Sequence, residues 1–442
     1  MNYDLIEKAK EVLNGNYQEG GFTIPSKNLY PFQWKWDSGF IALGYAHYDI
    51  QKAKKEIETI LEAQWINGFI PHIVFHNDSD TYFPGPNFFR SELSPYASKK
   101  YRSSGITQPP VFGFVLEKIY DISQGEKSVL EFIKSQIEKV YLNHLYFYRN
   151  RDIMDEGLVY IYHNWESGTD NSPLWDGIWE TINSPKYEFK RRDTDHVDAS
   201  ERPTKIEYNN YIHILEIAKG YNYDDKLIAE NSPFLVQDPL FNSILIRSNQ
   251  GLIRLFKLIG GHDEKINYLE EKQAKGIQSL NKKLFNQNLG AYTHYDLRND
   301  KSIPLISSSS FTPMFCGAPD KEIVNVLTKT LIHKFGKPEN YFCASFDPTN
   351  NHFNPSKYWR GPIWINLNWM LYQGFKRYGY DQLAERIKND SIELVKKNGF
   401  YEYFDPRKTE LEKRAYGGDN FSWTAALIID FILEKEKQNE LY

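Results

Sequence analysis

The segment NWESGTDNSPLWD contains the first group of residues whose types and spacing could carry out chemistry. Its acids are Glu166, Asp170 and Asp176, and its aromatic neighbours are Trp165 and Trp175. A carboxyl group against apolar ring faces keeps its proton to a higher pH than one in water, as a general acid must. Asp170 is therefore a candidate acid, although an aspartate in such a loop equally often forms a turn or caps a helix.

The segment FYEYFDP contains the second group. Glu402 lies between Tyr401 and Tyr403, which indicates a carboxyl group in a partly apolar pocket, and Asp405 follows shortly after. Hydrolysis of a glycosidic bond needs one carboxylic acid to protonate the leaving oxygen and one carboxylate to activate water or attack carbon. The two segments would therefore have to meet in space. These residues alone do not choose between Glu402 and Asp405, and Glu402 could equally be a surface residue in a turn.

Aromatic residues make up 16% of the chain, including ten Trp and 31 Tyr, and they concentrate in long loops. Trp and Tyr present flat apolar faces with a polar edge, which suits the C–H faces and hydroxyl rims of sugars. Aromatic loops spread along the whole chain predict one shared concave site. The loops are NLYPFQWKWDSGF, FIPHIVFHNDSDTYFPGPNFF, GITQPPVFG, YHNWESGTDNSPLWDG, KYWRGPIWIN and GFYEYFDPRKTE.

Apolar residues at helical spacing predict a mainly α-helical chain that would position these loops. Helices are expected over 110–121, 203–219, 239–259, 264–284, 321–334, 362–378, 382–397 and 422–434. Several begin with Pro in the first turn, and some end at Gly, which is the usual punctuation of helices. So many helices, with a long functional loop after every second helix, predict an all-α fold in which the helices close into a toroid.

Composition excludes several classes of protein. The net charge of −5 and the scattered Lys and Arg residues argue against a nucleic-acid partner. No apolar run reaches membrane-spanning length, and the first residues lack the order of a signal peptide, so we predict a cytoplasmic protein with no membrane partner. Cys316 and Cys343 lack metal-ligand spacing. His72 and His76 are close in sequence, but Pro71 and the loop setting argue against a metal pair, and we expect neither a metal nor a cofactor.

Seven motifs occur in an order that resembles glycoside hydrolase family 63, and within it the hydrolases of mannosylglycerate and glucosylglycerate. They are YPFQWKWDSGF, GITQPP, WESGTDNSPLWD, ERPTKIEY, YWRGPIW, FYEYFDP and FSWTAA, and they extend over residues 30–426. The resemblance implies an (α/α)6 barrel with long loops on one face, formed by a single domain over 1–442. Loop insertions around 66–107 and 176–202 are expected to form a cap.

The resemblance also implies roles for individual residues. Asp170 is expected to be the general acid and Glu402 the general base of an inverting reaction, which requires carboxyl groups about 6.5–9.5 Å apart. Arg202 and Tyr208 match residues that hold glycerate, and Tyr82 matches a position in a mobile loop. Residues expected to bind the sugar are Tyr30, Trp34, Trp36, Asp37, Gln108, Gly168, Tyr358, Trp359 and Trp364.

The sequence is expected to depart from this family at Gly417 and Gly418, where related enzymes could carry a longer polar side chain directed toward the substrate. The predicted function is hydrolysis of a small anionic glycoside, 2-O-(α-glucosyl)glycerate or 2-O-(α-mannosyl)glycerate, with glucose and mannose left open. A trehalase-like or oligosaccharide exo-α-glucosidase acting on neutral substrates is the nearest alternative. A sugar epimerase would need histidines placed for proton transfer, and a carbohydrate-binding protein would bind without turnover. Assembly of the chain into a homo-oligomer is a further hypothesis.

Overall fold

The computed structural model describes residues 3–77 and 81–434, which are mainly helical. The α-helices are α1 (Tyr3–Asn16), α2 (Lys35–Ala46), α3 (Ile50–Glu62), α4 (Pro86–Phe89), α5 (Phe112–Ile122), α6 (Lys127–Asn150), α7 (Asn164–Ser167), α8 (Asp176–Trp179), α9 (Lys205–Gly220), α10 (Asp225–Asn231), α11 (Pro239–Ile259), α12 (Asp263–Ser279), α13 (Lys321–Phe335), α14 (Ile365–Arg377), α15 (Asp381–Asn398) and α16 (Ser422–Leu433).

An inner series of elements closes on itself. In chain order it consists of α2, α5, α11, the 3-10 segment Ser308–Met314, α14 and α16. Each of these packs against the next, and α16 packs against α2. The other long helices lie outside: α1 contacts α16, α3 contacts α2, α6 contacts α5, α12 contacts α11, α13 contacts Ser308–Met314 and α15 contacts α14.

The sequences of the helices explain which ones lie inside. Every residue of α2 from Lys35 to Tyr45 is buried, as is every residue of α16 from Ser422 to Phe431. A helix buried on all sides has no solvent face, so it cannot be the surface layer of a domain. The outer helices α3, α12 and α15 instead bury one apolar face and expose charged residues, which is the pattern of an amphipathic surface helix.

Two glycines allow the inner helices α5 and α11 to approach closely. A Cβ atom at Gly113 would overlap the carbonyl oxygen of Ser248, and one at Gly251 would overlap the carbonyl oxygen of Gly113. The backbones therefore touch directly. Because packed interiors tolerate little added volume, this contact requires residues without side chains.

The predicted helices are present, with shifted ends. The prediction for 239–259 coincides with α11, whereas α9 begins at Lys205 rather than 203. Thr204 starts α9 because its Oγ1 accepts from Glu207 N at 3.2 Å, while Glu207 Oε2 accepts from Thr204 N at 2.6 Å. The helix predicted over 264–284 ends as an α-helix at Ser279 and continues as the π-helical turn Leu280–Leu284.

The segment NLYPFQWKWDSGF, which was expected to be a loop, is partly helical, because α2 begins at Lys35. Small antiparallel sheets were also not predicted. The strands are β1 (Gln33–Trp34), β2 (Ile73–Phe75), β3 (Arg102–Ser103), β4 (Tyr160–Ile161), β5 (Val236–Gln237), β6 (Phe285–Asn286), β7 (Ala291–Tyr292), β8 (His294–Asp296), β9 (Lys301–Ile303), β10 (Tyr403–Phe404) and β11 (Ala415–Tyr416). Their orders are β1-β2-β3, β4-β5-β8-β9, β6-β7 and β10-β11.

These strands hold together the connections that lead from an outer helix to the next inner element. In register, Trp34 lies opposite Ile73, Val74 opposite Ser103, and Tyr403 opposite Tyr416. Strands of two or three residues are too short to show an alternating pattern, so sequence periodicity misses them. In the part of the chain that is described, no helix is long and apolar enough to cross a membrane.

Candidate active site

One pocket is lined by both candidate acids and by all the residues that were predicted from the sequence to bind the substrate. Those residues are Tyr30, Trp34, Trp36, Asp37, Tyr82, Gln108, Gly168, Asp170, Arg202, Tyr208, Tyr358, Trp359, Trp364 and Glu402. All lie in, or within a few residues of, connections from an outer helix to the next inner element. Because such connections share one end of a closed series of helix pairs, segments far apart in sequence meet there.

The pocket also contains residues that the sequence did not single out as binding residues. They are Pro25, His72, Trp165, Asp193, Pro203, Phe421 and Trp423. Trp165, Phe421 and Trp423 lie in the motifs WESGTDNSPLWD and FSWTAA, which gave a signal that could have identified them as pocket residues. Asp193 had none, because it lies in a charged segment, KRRDTD, of the kind that is usually solvent-exposed.

Glu402 is held by a tight turn next to β10. Its backbone N donates to Gly418 O at 2.9 Å, and Gly418 N donates to its Oε2 at 3.0 Å. Tyr30 OH donates to its Oε1 at 2.9 Å, and Arg202 Nη1 lies 3.8 Å from its Oε2. Burial raises the pKa of Glu402, while the guanidinium and these donors act in the opposite direction.

The structure separates Glu402 from Asp405, which the residues alone could not. Asp405 is fully buried and forms a two-point ion pair with Arg407, with Nε to Oδ1 at 3.0 Å and Nη2 to Oδ2 at 2.7 Å. Asp405 does not line the pocket. Glu166 is likewise removed from the pocket, because Arg151 Nη1 donates to both of its carboxylate oxygens.

Asp170 follows the short helix α7 and the turn at Gly168. Asn164 Nδ2 donates to the backbone oxygen of Asp170 at 2.7 Å, and Tyr358 OH donates to its Oδ2 at 3.1 Å. Burial raises the pKa of Asp170 to about 7, against the opposing effects of Arg202 and the Tyr358 hydroxyl, and the charge of Glu402 adds to the rise.

The expected aromatic wall beside Asp170 is only half present. Trp165 lines the pocket, but Trp175 is fully buried behind it, against Phe234. Trp175 Nε1 donates to Thr169 O at 2.9 Å, so this residue supports the loop before Asp170 rather than walling the site. The prediction that Trp175 forms this wall was wrong. Its ring can be buried and its indole N–H can find an acceptor within the core, so the residue does not need to face the pocket.

The two acids are connected through tyrosine hydroxyls, which limits their separation. Tyr30 OH is 2.9 Å from Glu402 Oε1 and 3.3 Å from Tyr358 OH, which is 3.1 Å from Asp170 Oδ2. The two carboxylate oxygens therefore lie no more than roughly 9 Å apart, which is compatible with the approximately 6.5–9.5 Å of inverting glycosidases.

Arg202 is the cation of the pocket, and it is buried with its charged neighbours. Its Nε donates to Asp193 Oδ2 at 3.1 Å and its Nη2 donates to Tyr30 OH at 3.0 Å. The guanidinium carbon lies 4.0 Å from the centroid of the Tyr358 ring. Nη1 is buried and has no hydrogen-bond partner among the described residues. A buried donor without a partner is costly, so Nη1 is a position prepared for an acceptor.

Asp193 in turn is shared between two arginines. Arg191 donates from Nε to its Oδ1 at 2.9 Å and from Nη2 to its Oδ2 at 2.6 Å. These cations hold the pKa of Asp193 below its ordinary value despite burial. The Arg191 guanidinium also lies 4.6 Å from the ring centroid of Tyr208. The segment around 190–202 is thus tied to the pocket by charge.

The first turn of α2 supplies polar groups to the floor of the pocket. Asp37 is buried there, and burial raises its pKa well above the ordinary value. Gln108 Oε1 accepts from Trp36 N at 3.2 Å, which leaves the side-chain NH2 group of Gln108 to donate into the pocket. Beneath it, the buried Lys35 Nζ donates to Thr107 Oγ1 and to Gln108 O, both at 2.8 Å.

Aromatic rings form the remaining floor and wall. The rings of Trp359 and Trp364 are stacked with centroids 3.6 Å apart, and the Trp36 and Trp359 centroids are 6.4 Å apart. A Cβ atom at Gly168 would overlap the ring of Trp36. Gly168 therefore allows the Trp36 ring to lie directly against the Asp170 loop.

The Tyr82 loop contacts the rest of the pocket through aromatic rings and through a hydrogen bond. The Tyr82 centroid is 5.2 Å from that of Trp34. Tyr208 OH donates to Phe83 O at 2.9 Å, and the Phe83 and Phe189 rings are stacked 5.8 Å apart. The hydroxyl of Tyr208, which was predicted to hold glycerate, is thus already bonded to this loop and can still accept a hydrogen bond.

The two histidines considered for a metal have separate surroundings. His72 Nδ1 is 2.6 Å from Ser104 Oγ and this residue lines the pocket. His76 Nε2 is 2.8 Å from Gln33 Oε1, and its ring stacks on Phe22. Over residues 3–77 and 81–434, no group of three or more His, Cys, Asp or Glu side chains is placed to hold a metal ion.

Comparison with known proteins bears on the chemistry of this pocket. Residues 30–424 match the family described as the mannosylglycerate hydrolase MGH1-like glycoside hydrolase domain. The chain belongs to this family. It is therefore a glycoside hydrolase, and the matched range includes both acidic segments and the Arg202 segment.

Individual members of the family are similar over almost their whole length. The mannosylglycerate hydrolase of Rubrobacter radiotolerans is 38% identical over 439 residues, 98% of this chain and 97% of the relative. The glucosylglycerate hydrolase of Mycolicibacterium hassiacum is 32% identical and covers 97% of each chain. A crystal structure of the family 63 mannosylglycerate hydrolase from Thermus thermophilus, in complex with Tris and D-glycerate, superposes with a TM-score of 0.89 at 38% identity, covering 97% of this chain and 99% of that one.

Gly417 of this glycoside hydrolase lies against the carboxyl group of Glu402. Gly417 has φ +72, and a Cβ atom there would overlap Oε2 of Glu402. A side chain at 417 would displace the carboxylate rather than extend past it to a substrate. The turn therefore places Glu402 through the absence of a side chain.

We expect Gly417→Ala to lower the kcat/KM of glycoside hydrolysis by about 10²-fold, since a carboxylate displaced by about 1 Å is enough for such a loss. Steady-state kinetics and a thermal melt would be measured together. Gly379→Ala is the matched control, because Gly379 has φ +73 and no heavy atom near an added Cβ. The control has the same backbone strain but should keep its activity. Equal rates in the two variants would show that the turn does not place Glu402.

Proposed function

We propose that this enzyme is an inverting α-glycosidase that hydrolyses a small anionic glycoside, 2-O-(α-glucosyl)glycerate or 2-O-(α-mannosyl)glycerate, to sugar and glycerate. The observation that carries the proposal is the buried Nη1 of Arg202, which donates no hydrogen bond to any described residue, in a pocket that also contains two carboxyl groups. A carboxylate is the acceptor that a guanidinium binds best. The names of the relatives, mannosylglycerate hydrolase and glucosylglycerate hydrolase, are consistent with such a substrate.

Asp170 is the proposed general acid. Its pKa of about 7 leaves much of it protonated near neutral pH, so it can donate a proton to the glycosidic oxygen as the bond breaks. Tyr358 OH orients the carboxyl group through Oδ2. Protonation of the leaving oxygen makes glycerate a better leaving group.

Glu402 is the proposed general base. Its Oε1 and Oε2 accept from Tyr30 OH and Gly418 N, so the carboxylate is held in one orientation. It removes a proton from a water that attacks the anomeric carbon from the face opposite the leaving oxygen, which inverts the configuration. Inversion requires space for that water between base and sugar, and the upper limit of roughly 9 Å on the separation of the two carboxyl groups is compatible with the approximately 6.5–9.5 Å needed.

The sugar is proposed to lie against the tryptophans, with its hydroxyls on Asp37 and Gln108. Flat ring faces such as those of Trp36 and Trp359 suit the apolar face of a pyranose, and a carboxylate or a side-chain NH2 group suits its hydroxyls. The same pocket presents Arg202 to the second half of the substrate, so it can hold a sugar and a small charged aglycone together. The substrate is therefore a disaccharide-sized glycoside.

We also propose that the chain forms a single domain over 1–442, built as an (α/α)6 barrel. It is supported by six inner elements in closed contact, each preceded by an outer helix. The segments 66–107 and 176–202 are proposed to form a cap, supported by the stacked rings of Phe83 and Phe189. The cytoplasmic location and the homo-oligomer stay predictions.

The alternative is an exo-α-glucosidase or trehalase-like enzyme that acts on neutral substrates. A neutral substrate brings no carboxylate to Nη1 of Arg202, which donates no hydrogen bond within the described part of the chain. Arg202 and Asp193 form a buried charged pair whose placement has a cost in desolvation. That cost is understandable if the substrate brings a negative charge of its own.

We expect Asp170→Asn and Glu402→Gln each to lower kcat by about 10²–10⁴-fold or more, because each removes one proton-transfer group while keeping the shape of the side chain. Product formation from glucosylglycerate and mannosylglycerate would be followed by NMR, which also reads the anomer released first. Asp405→Asn is the control, since Asp405 lies outside the pocket. Substantial turnover in either pocket variant, or release of the retained anomer, would contradict the assignment.

The pKa of Asp170 sets an expected pH dependence. Because the acid acts in its protonated form and its pKa is about 7, kcat/KM should fall as the pH rises above this value. Arg202 holds the pKa of Asp170 down, so in Arg202→Gln the fall should move to higher pH. The measurement is kcat/KM between pH 5 and 9 at constant ionic strength, and an unshifted profile would count against Asp170 as the acid.

Arg202 should determine the preference for an anionic substrate. For the wild type, we expect kcat/KM on glucosylglycerate to exceed that on neutral glucosylglycerol by about 10–10²-fold, the value of a charge-assisted hydrogen bond. In Arg202→Gln this ratio should approach one. The ratio is informative because damage to Glu402 or Tyr30 lowers both rates equally. A wild-type ratio at or below one would favour the alternative function, hydrolysis of neutral substrates.

A further inference from the structure

A continuous chain of hydroxyl groups joins the two proposed catalytic carboxyls. Glu402 Oε1 is 2.9 Å from Tyr30 OH, Tyr30 OH is 3.3 Å from Tyr358 OH, and Tyr358 OH is 3.1 Å from Asp170 Oδ2. Both tyrosines are buried. A hydroxyl can donate one hydrogen bond and accept two, so it can pass a proton along such a chain without remaining charged.

At the end of each turnover of an inverting reaction, the base carries an extra proton and the acid lacks one. Asp170 has given its proton to the leaving oxygen, and Glu402 has taken one from the attacking water. Before the next turnover, Glu402 must lose a proton and Asp170 must gain one. The two needs are equal and opposite, so a single proton returned from Glu402 to Asp170 restores the enzyme.

We propose that Tyr30 and Tyr358 return this proton through their hydroxyls. The O–H bond of Glu402 breaks as a new one forms on Tyr30, the original proton of Tyr30 passes to Tyr358, and that of Tyr358 passes to Asp170 Oδ2. Each tyrosine gains and loses one proton, so both end neutral, and no further reactant is consumed. The inference rests on the proposed function, because it takes Asp170 as the acid and Glu402 as the base.

The surroundings of the two carboxyls favour transfer in this direction. Ionised Glu402 has the donors Tyr30 OH and Gly418 N, with Arg202 Nη1 nearby. Asp170 accepts a hydrogen bond at Oδ2 from a single side chain among the described residues, the hydroxyl of Tyr358. Hydrogen bonds and positive charge favour the ionised form of an acid, so the proton settles on Asp170.

Arg202 keeps the chain in order. Its Nη2 donates to Tyr30 OH at 3.0 Å, and its guanidinium lies 4.0 Å from the ring centroid of Tyr358. Tyr30 then accepts from Arg202 and from protonated Glu402 while donating to Tyr358, which uses its full capacity of one donor and two acceptors. The 3.3 Å link between the tyrosines is the longest, and it must shorten by about 0.5 Å to reach the usual O–H···O distance.

Tyr358→Phe tests the relay because it removes one hydroxyl from the chain and keeps the ring. In rapid-quench experiments with glucosylglycerate or mannosylglycerate, the first turnover should proceed and later turnovers should wait for solvent to restore the protons. We expect a burst of product equivalent to the enzyme sites, followed by a steady rate at least about tenfold slower, as befits loss of a positioned proton-transfer group. A small buffer acid such as acetic acid, raised at constant pH and ionic strength, should speed the slow phase.

Tyr30→Phe breaks the same chain at the previous link and should give the same burst, which guards against poor folding of the first variant. Tyr211→Phe is the matched control: Tyr211 is fully buried, its ring lies 5.7 Å from that of Trp165, and its hydroxyl has no partner among the described residues. It should behave as the wild type, with linear product formation.

Linear product formation from the start in Tyr358→Phe and Tyr30→Phe, with no effect of buffer concentration, would overturn the relay. A change confined to KM would overturn it as well, by assigning the tyrosines to substrate binding alone. The proposed function fails separately, by turnover in Asp170→Asn or Glu402→Gln. A burst in a tyrosine variant shows by itself that the first hydrolysis is intact.

Discussion

The pocket depends on a balance of buried charge in which Arg202 is the central cation. Its guanidinium faces Asp193 and Glu402 and lies near the carboxyl group of Asp170. Buried carboxylates without a cation would take up protons, and a buried cation without carboxylates would be strongly destabilising. The same guanidinium therefore opposes the rise that burial causes in the pKa of both Glu402 and Asp170.

The helical layers were largely predictable, because apolar periodicity and helix punctuation are local properties of the sequence. The prediction for 239–259 reproduces α11, and the residues named from the motifs line one pocket. Helix ends were less predictable, as at Thr204, where a side chain rather than the preceding proline decides the start. The short strands were missed since two or three residues carry no period. Their pairing is decided by contacts between distant segments, such as Trp34 with Ile73.

The types of residue that line the candidate site were predictable, but several of the contacts between them were not. Asp193 was missed because its two arginine partners make a charged segment look exposed, although it is buried. Trp175 was misplaced because a tryptophan can satisfy its ring and its N–H within the core. The resemblance chose Glu402 over Asp405, but the physical reason lies in the three-dimensional partner of each acid, Gly418 N or Arg407. Pairings of this kind are properties of the assembled loops.

The contact between Tyr208 and the Phe83 carbonyl joins residues 125 positions apart in the chain. Phe189 adds a stacked ring to the same contact. The two loops therefore form a complementary pair of surfaces, and neither can drift in sequence independently of the other. Among family members, substitutions at Phe83 are expected to be accompanied by compensating substitutions at Phe189 or Tyr208. The entrance of the pocket would then evolve as one unit, while the carboxyl groups below it remain unaltered.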